Sequence, residues 1–405
     1  MSLANLTSVD TALQHLLESA KPLSETEMVP LGDALGRVLA EDLSAPMDVP
    51  QSDNSAVDGY AFRCADPGAD RRLPVSGRVA AGDNPPPLQA GTAARIFTGA
   101  PIPEGADTVI MQENTTLDDG HVSFESTPPP GQNIRRRGQD LQKGTVALSS
   151  GTRLRPQELG LIASLGCDRV PVWRRLRVAI LTTGDELVEP GHSLTPGQIY
   201  NTNRYTLQGL LQQLDCKVVA CQTVPDRHEA TVTALKEAAA SADLIITSGG
   251  VSVGEEDHLR AALEEIGELS LWRLAIKPGK PLAFGQISGT PVLGLPGNPA
   301  AVLVTTLVIA APFIRRCQGN TGLPPKPAQL PAGFTLDKAS IRREFVRARR
   351  ELHNGQIVAI AYPNQSSGML SSACWADGLA VIPENTTVKP GDMVSFYAFS
   401  DLTGA

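Results

Sequence analysis

Between about residue 175 and residue 314 the chain alternates short apolar runs with helical runs, and few folds accept that pattern. Strands are expected over 177–182, 217–222, 243–247, 271–276 and 291–295. Helices are expected over 203–214, 228–240, 259–266 and 300–314. Strands alternating with helices form a parallel sheet covered on both faces. Ligands bind such sheets beyond the carboxyl ends of the strands.

The flanking sequence has a different texture. Helical spacing is expected over 9–17, 32–42 and 156–165. From residue 45 to about 142 the chain is rich in Pro, Gly and short β-type runs, with strands expected over 75–80, 93–98, 108–112 and 121–124. If 156–165 packs on the N-terminal helices, this β-rich segment is an insertion into a helical domain. A Pro-rich linker, 323–331, precedes a final stretch of alternating apolar residues that reads as a small β domain.

With 405 residues, about two to four domains are expected. A net charge of −8 argues against general nucleic-acid binding, and an aromatic content of 4% argues against base stacking. The six cysteines form no CxxC pair and read as reduced, mostly buried thiols of a cytoplasmic protein. The N-terminus lacks the basic start and apolar core of a signal peptide. The apolar stretch 300–314 is broken by Pro312 and reads as a buried helix rather than a membrane span.

Four loops follow strands of the α/β region: 182–187 (TTGDEL), 247–257 (TSGGVSVGEED), 277–280 (KPGK) and 294–299 (GLPGNP). Glycine lets backbone N–H groups approach a ligand, and a turn opening a helix adds the positive end of its dipole. Lys277 and Lys280 add full charges. Each loop alone is more readily a plain turn; four on one sheet edge favour an oxyanion or phosphate site. Glu186, Asp226 and Asp257 each follow a different strand and suit magnesium, which prefers carboxylate and phosphate oxygens. Asp226 reads equally well as a cap of the helix near His228, and Asp185 as a turn residue. No GxxxxGK[ST], no GxGxxG after the first strand and no nucleophile motif is present.

In the β-rich segment, 52–61 (SDNSAVDGYA) presents several polar groups, with Asp58-Gly59 a turn signal, and 135–140 (RRRGQD) is a basic cluster. In the last domain, Arg343 to Arg347 and Gln365 to Gly368 offer oxyanion donors, although an exposed strand and a turn account for them better on the residues alone.

DNSAVDGYA, TGAPIPEGADTVIMQE, GQNIRRRGQD, TTGDEL, TSGGVSVGEED, IKPGKP and GLPGNP, in this order over nearly the whole chain, resemble the molybdopterin molybdenumtransferase family, which includes bacterial MoeA and the gephyrin E domain. The resemblance implies an α/β multidomain fold. A discontinuous elongated, mixed domain (1–45 and 142–174) carries an inserted β-rich domain (46–141). A doubly wound, mostly parallel molybdopterin-binding domain (175–322) and a small C-terminal β domain (323–405) follow. It also implies a homodimer whose active site lies between the α/β domain of one subunit and the inserted domain of the other. The implied reaction takes adenylylated molybdopterin and molybdate and gives molybdenum cofactor and AMP, with Mg2+.

By motif position, Glu186, Asp226, Asp257, Lys277 and Lys280 would line the nucleotide, metal and pterin pocket, the three carboxylates directly or through water on magnesium. Gly249 and Gly250 would bind substrate beside them. Asp58, Thr98, Arg135 and Asp140 would reach in from the partner subunit. Ser252, Arg347 and Ser367 would hold molybdate, and Pro296 and Pro299 would shape the last loop. A molybdopterin adenylyltransferase and cofactor-free molybdoenzymes are the implied protein partners. Three positions depart from the pattern: Val57 replaces Met, Arg273 replaces Lys, and Ser366 replaces Gly. Competing readings are a molybdopterin adenylyltransferase, a dimeric scaffold and an inactive pterin-binding paralogue.

Overall fold

The computed structural model describes residues 6–251, 258–322 and 324–404. At its centre six strands run in the order Lys217–Val224, Arg177–Thr183, Leu244–Ser248, Thr290–Leu295, Pro281–Ile287 and Glu268–Arg273. The first four are parallel. Pro281–Ile287 runs antiparallel to both of its neighbours. Strand Arg177–Thr183 explains the unbroken apolar runs: Val178 and Ile180 enter the core on one face, Ala179 and Leu181 the core on the other. Helices Thr202–Gln213 and Pro299–Cys317 cover the first face, and His228–Ser241 and His258–Ile266 the second. Each fully buried Leu or Ile there contributes about 1.5–3 kcal/mol.

The expected strand 271–276 is displaced to Glu268–Arg273, and Pro281–Ile287 was not foreseen. Ser288 and Gly289, both at positive φ, turn Pro281–Ile287 tightly into Thr290–Leu295, so the last two strands form antiparallel pairs instead of a crossover. Helix Pro299–Cys317 holds a wide π turn at Thr306–Ala310. Pro312, just beyond, offers no N–H to the carbonyl four residues back, and the wide turn absorbs that mismatch. This helix is long and apolar enough to cross a membrane, but 72% of its most apolar window is buried in the fold.

Helix Val9–Ser19, capped by the Ser8 hydroxyl, buries Val9, Ala12 and Leu16 in the α/β core beside Phe313 and Cys317. The helix expected over 32–42 is absent. A single 3-10 turn, Leu31–Asp33, is followed by Gly36 at φ +80° and by Val38 and Leu39 bridged to Arg153 and Val172. Pairing buries Leu39 completely, and this overrides its helical spacing. Thr26–Pro30 pairs with Arg169–Trp173, and their core takes in Leu154 and Ile162, the latter from helix Pro156–Ser164. The chain leaves this unit through Leu43–Ser44 and returns through its partner strand Val146–Leu148.

Between those two strands lies a six-stranded sheet in the order Thr108–Met111, Gly59–Phe62, Ala93–Ile96, Arg72–Val79, His121–Phe124, Thr115–Asp118. The C-terminal sheet is built on Arg343–His353, Gly378–Ile382 and Met393–Ala398. Its edge strand Ala328–Pro331 comes from the segment expected as a linker, with the proline at the sheet edge. Its other edge is Ile276–Lys277, borrowed from the α/β domain. Strand Arg343–His353 is buried from Glu344 to Ala348 rather than exposed. All six cysteines are unpaired. Only Cys317 is fully buried, Cys374 is exposed and the other four are half-buried, so fewer are fully buried than expected.

Candidate active site

Beyond the carboxyl ends of the parallel strands opens a cleft of about 970 Å³. Glu186, Asp226, Gly249, Gly250, Lys277, Lys280, Pro296, Pro299 and Ser367, expected from four loops and the C-terminal domain, all line it. Ser252 and Asp257 lie outside the described residues.

The first loop is held by fine geometry. Gly184 stands at φ +145°, and a Cβ there would meet Glu186 Oε2 at 2.5 Å. Asp185, read from sequence as a turn residue, accepts the Asp226 N–H at 2.9 Å and so joins the loops that carry the two carboxylates. The helix near His228 takes Arg227 as its N-cap, not Asp226. Gly249 must also lack a side chain, because a Cβ would lie 2.7 Å from Thr183 Oγ1.

Asn203, missed in the sequence, ties the cleft together. Its Nδ2 donates to Ser248 Oγ (2.9 Å) and to the Gly297 carbonyl (2.6 Å), while Ser248 Oγ donates to the Pro296 carbonyl (3.1 Å). Asn201 caps the same helix by accepting the Arg204 N–H, and its Nδ2 donates to Thr182 Oγ1 and Thr223 Oγ1. An NxN pair between a strand and a helix was the available signal. The helices starting at Thr202 and Pro299 both begin on the cleft wall, so two positive dipole ends join the lysines there.

Lys277 Nζ donates to Glu344 Oε1 at 3.0 Å. Arg342, another lining residue not foreseen, donates to the Ile276 carbonyl. Arg347, expected on the oxyanion, lies behind the wall and does not line it. It is 1% exposed; its Nε donates to Ser372 Oγ and its Nη2 to the Ser366 carbonyl, each at 3.0 Å. Burial pushes its pKa down to about 10, still charged at neutral pH. Gln365 brackets the same residue, accepting its N–H and donating to its carbonyl. Ala300 N–H donates to the Ser367 carbonyl, fastening this loop to the helix start. Ser366 sits outside the positive-φ region, so a serine meets no backbone strain there.

Asp58, Thr98, Arg135 and Asp140 sit on or beside the inserted domain, and none lines the cleft of its own chain. Thr98 donates to Asp58 Oδ1 through its N–H (2.8 Å) and its hydroxyl (2.7 Å), and these bonds hold the carboxyl below its ordinary range. Exposed Arg135 pairs in register with Asn54, and Asp140 N–H donates to the Val49 carbonyl. Arg136 and Arg137 are occupied by Asp53 and Asp48.

The same order of domains recurs in known families. Residues 7–166 match the MoeA N-terminal region (domain I and II), 179–316 a probable molybdopterin binding domain, and 329–399 the MoeA C-terminal region (domain IV). A molybdopterin molybdenumtransferase of Haemophilus influenzae is 42% identical over 98% of this chain and 100% of its own length. The chain belongs to the molybdopterin molybdenumtransferase family. A family protein of that name from Nostoc is 38% identical over 93% of this chain and 90% of its own. The solved molybdopterin biosynthesis MoeA protein of Pyrococcus horikoshii superposes with a TM-score of 0.83 at 31% identity, covering 97% of this chain and 100% of that one.

Two cleft carboxylates, Glu186 and Asp226, suit a hard cation that takes its other ligands from substrate and water. Among the described residues no three Asp, Glu, His or Cys side chains form a metal cage on their own.

Proposed function

We propose that this chain, a transferase of molybdenum cofactor biosynthesis by family, takes adenylylated molybdopterin and molybdate into the cleft and releases AMP as the metal enters the dithiolene. The observation that carries the reading is the meeting of Lys277, Lys280 and two helix N-termini with Glu186 and Asp226 around one cleft. Two anionic substrates must be brought together, and cations with fixed N–H donors lower the cost of doing so. Gly249, Gly250 and the 296–299 turn offer backbone close to phosphate, and Ser367 adds a hydroxyl. Ser252 is assigned to molybdate with it. Arg347 supports that part of the wall by holding Ser366.

Glu186 and Asp226, with Asp257, would hold Mg2+, which when bound supplies charge to phosphate oxygens and to departing AMP. Asp58, Thr98, Arg135 and Asp140 would complete the cleft from a second subunit of a homodimer. Their absence from the cleft of their own chain supports this. The six unpaired cysteines support a cytoplasmic setting. A molybdopterin adenylyltransferase would supply the substrate, and cofactor-free molybdoenzymes would receive the product.

The test is AMP release from adenylylated molybdopterin with molybdate and Mg2+ each present or withheld. Release that needs both, with activation of a cofactor-free molybdoenzyme, is expected. Substrate binding without release would instead support an inactive pterin-binding scaffold.

A further inference from the structure

We propose that Glu344 is a positioning residue for the reaction, acting through Lys277; the proposal rests on the reading of the cleft above. Glu344 lies on strand Arg343–His353 of the C-terminal domain, and its side chain is 6% exposed. Lys277 belongs to the loop after Glu268–Arg273 in the α/β domain, lines the cleft and is 43% exposed. The two residues pair in register where Ile276–Lys277 joins the edge of the C-terminal sheet. Arg343 N–H donates to the Ala275 carbonyl at 2.8 Å and closes that junction.

A carboxylate buried in a sheet needs a partner, and Lys277 supplies it from the cleft side. The lysine gains as much. Its four-carbon stem is flexible, and an ammonium that must hold an oxyanion in one place would otherwise have to be ordered when the anion binds. Glu344 orders it beforehand. One of three ammonium protons is taken by Oε1, which leaves two for an anion in the cleft that Lys277 lines. The C-terminal domain thereby aims a lysine that belongs, by chain position, to its neighbour.

The experiment compares E344A, E344Q, K277A and E344A/K277A with the wild type. It reads kcat and KM for molybdate in AMP release, and the acylation of Lys277 by an amine-reactive ester followed by peptide mass spectrometry. Lys326 and Lys389 serve as internal controls. E344A should lower kcat/KM by about ten- to a hundredfold, the scale of a misplaced binding group. E344Q, which keeps an oxygen of the same reach, should recover part of the loss. The double variant should be no worse than K277A, because the two residues act as a unit. Lys277 should acylate faster in E344A while the controls do not change.

Losses that multiply in the double variant, or Lys277 labelling equal in wild type and E344A, would overturn the proposal. If E344A does not fold, E344Q is judged by the same two readings. A wild type that releases no AMP would defeat the reading of the cleft, while the labelling would still decide whether Glu344 holds Lys277.

Discussion

The Glu186 carboxylate folds back over the α-carbon of Gly184, so closely that a single methyl group at residue 184 would displace it. Gly184→Ala is therefore expected to act on the site through Glu186 and through the loop backbone, because φ +145° is strained for alanine. Activity should fall by about a hundredfold, the effect of an ångström-scale misplacement, and approach that of Glu186→Ala. Circular dichroism should report a folded protein. Near-normal turnover in G184A would mean that the observed position of Glu186 has no bearing on the reaction.

A shared active site makes a prediction about mixtures. Asp58→Ala and Glu186→Ala damage opposite halves of the proposed cleft, and each should be inactive alone. Unfolded together and refolded as an equal mixture, half of the dimers should be hybrids with one undamaged site, giving roughly a quarter of wild-type activity. Mixtures as inactive as the parents would place all the working groups on one subunit.

The backbone of Ser366 is in an ordinary region and its carbonyl is held by Arg347. Ser366→Gly should leave turnover within about twofold and lower stability by about 0.4–1 kcal/mol, through added freedom of the unfolded chain. Thermal denaturation and steady-state kinetics check both. A large gain in activity would show that the serine constrains the loop.

Asp243 offers a pH test away from the cleft. Burial alone would raise its pKa, but hydrogen bonds from Arg174 and Arg177 outweigh it and hold the carboxyl well below its ordinary 3.8. A depressed folded-state pKa means stability that is fully present above the unfolded value and lost as pH falls through the folded one. Asp243→Asn should cost about 2 kcal/mol at pH 7, because Arg177 loses its carboxylate and Arg174 keeps only Glu25. The gap between wild type and variant in urea unfolding should stay constant above pH 5 and shrink below pH 4. A gap independent of pH would exclude the charge as its source.

The parts of the fold that were legible in sequence are those whose signal is local. Strand Arg177–Thr183 and helix Val9–Ser19 carry their burial in their own spacing, and the glycine loops mark the cleft. Residues 32–42 misled because Leu39 is buried by pairing with a strand more than a hundred residues away, which no local period encodes. Glu344 and Asn203 were missed for the same reason: each matters through a partner on another element. Arg347 looked like an oxyanion donor because arginine near serine suits that task. Its serine and carbonyl partners instead turn it inward to brace the wall.

The borrowed edge of the C-terminal sheet also bears on how this architecture is shuffled. The last domain completes its edge with Ile276–Lys277, some fifty residues before its own chain begins, so the seam between modules in space is not the seam in sequence. A chimaera cut at the proline-rich stretch would join one parent's Lys277 to the other parent's Glu344. Exchanging the 274–280 turn together with the tail would keep that pairing within one parent's sequence.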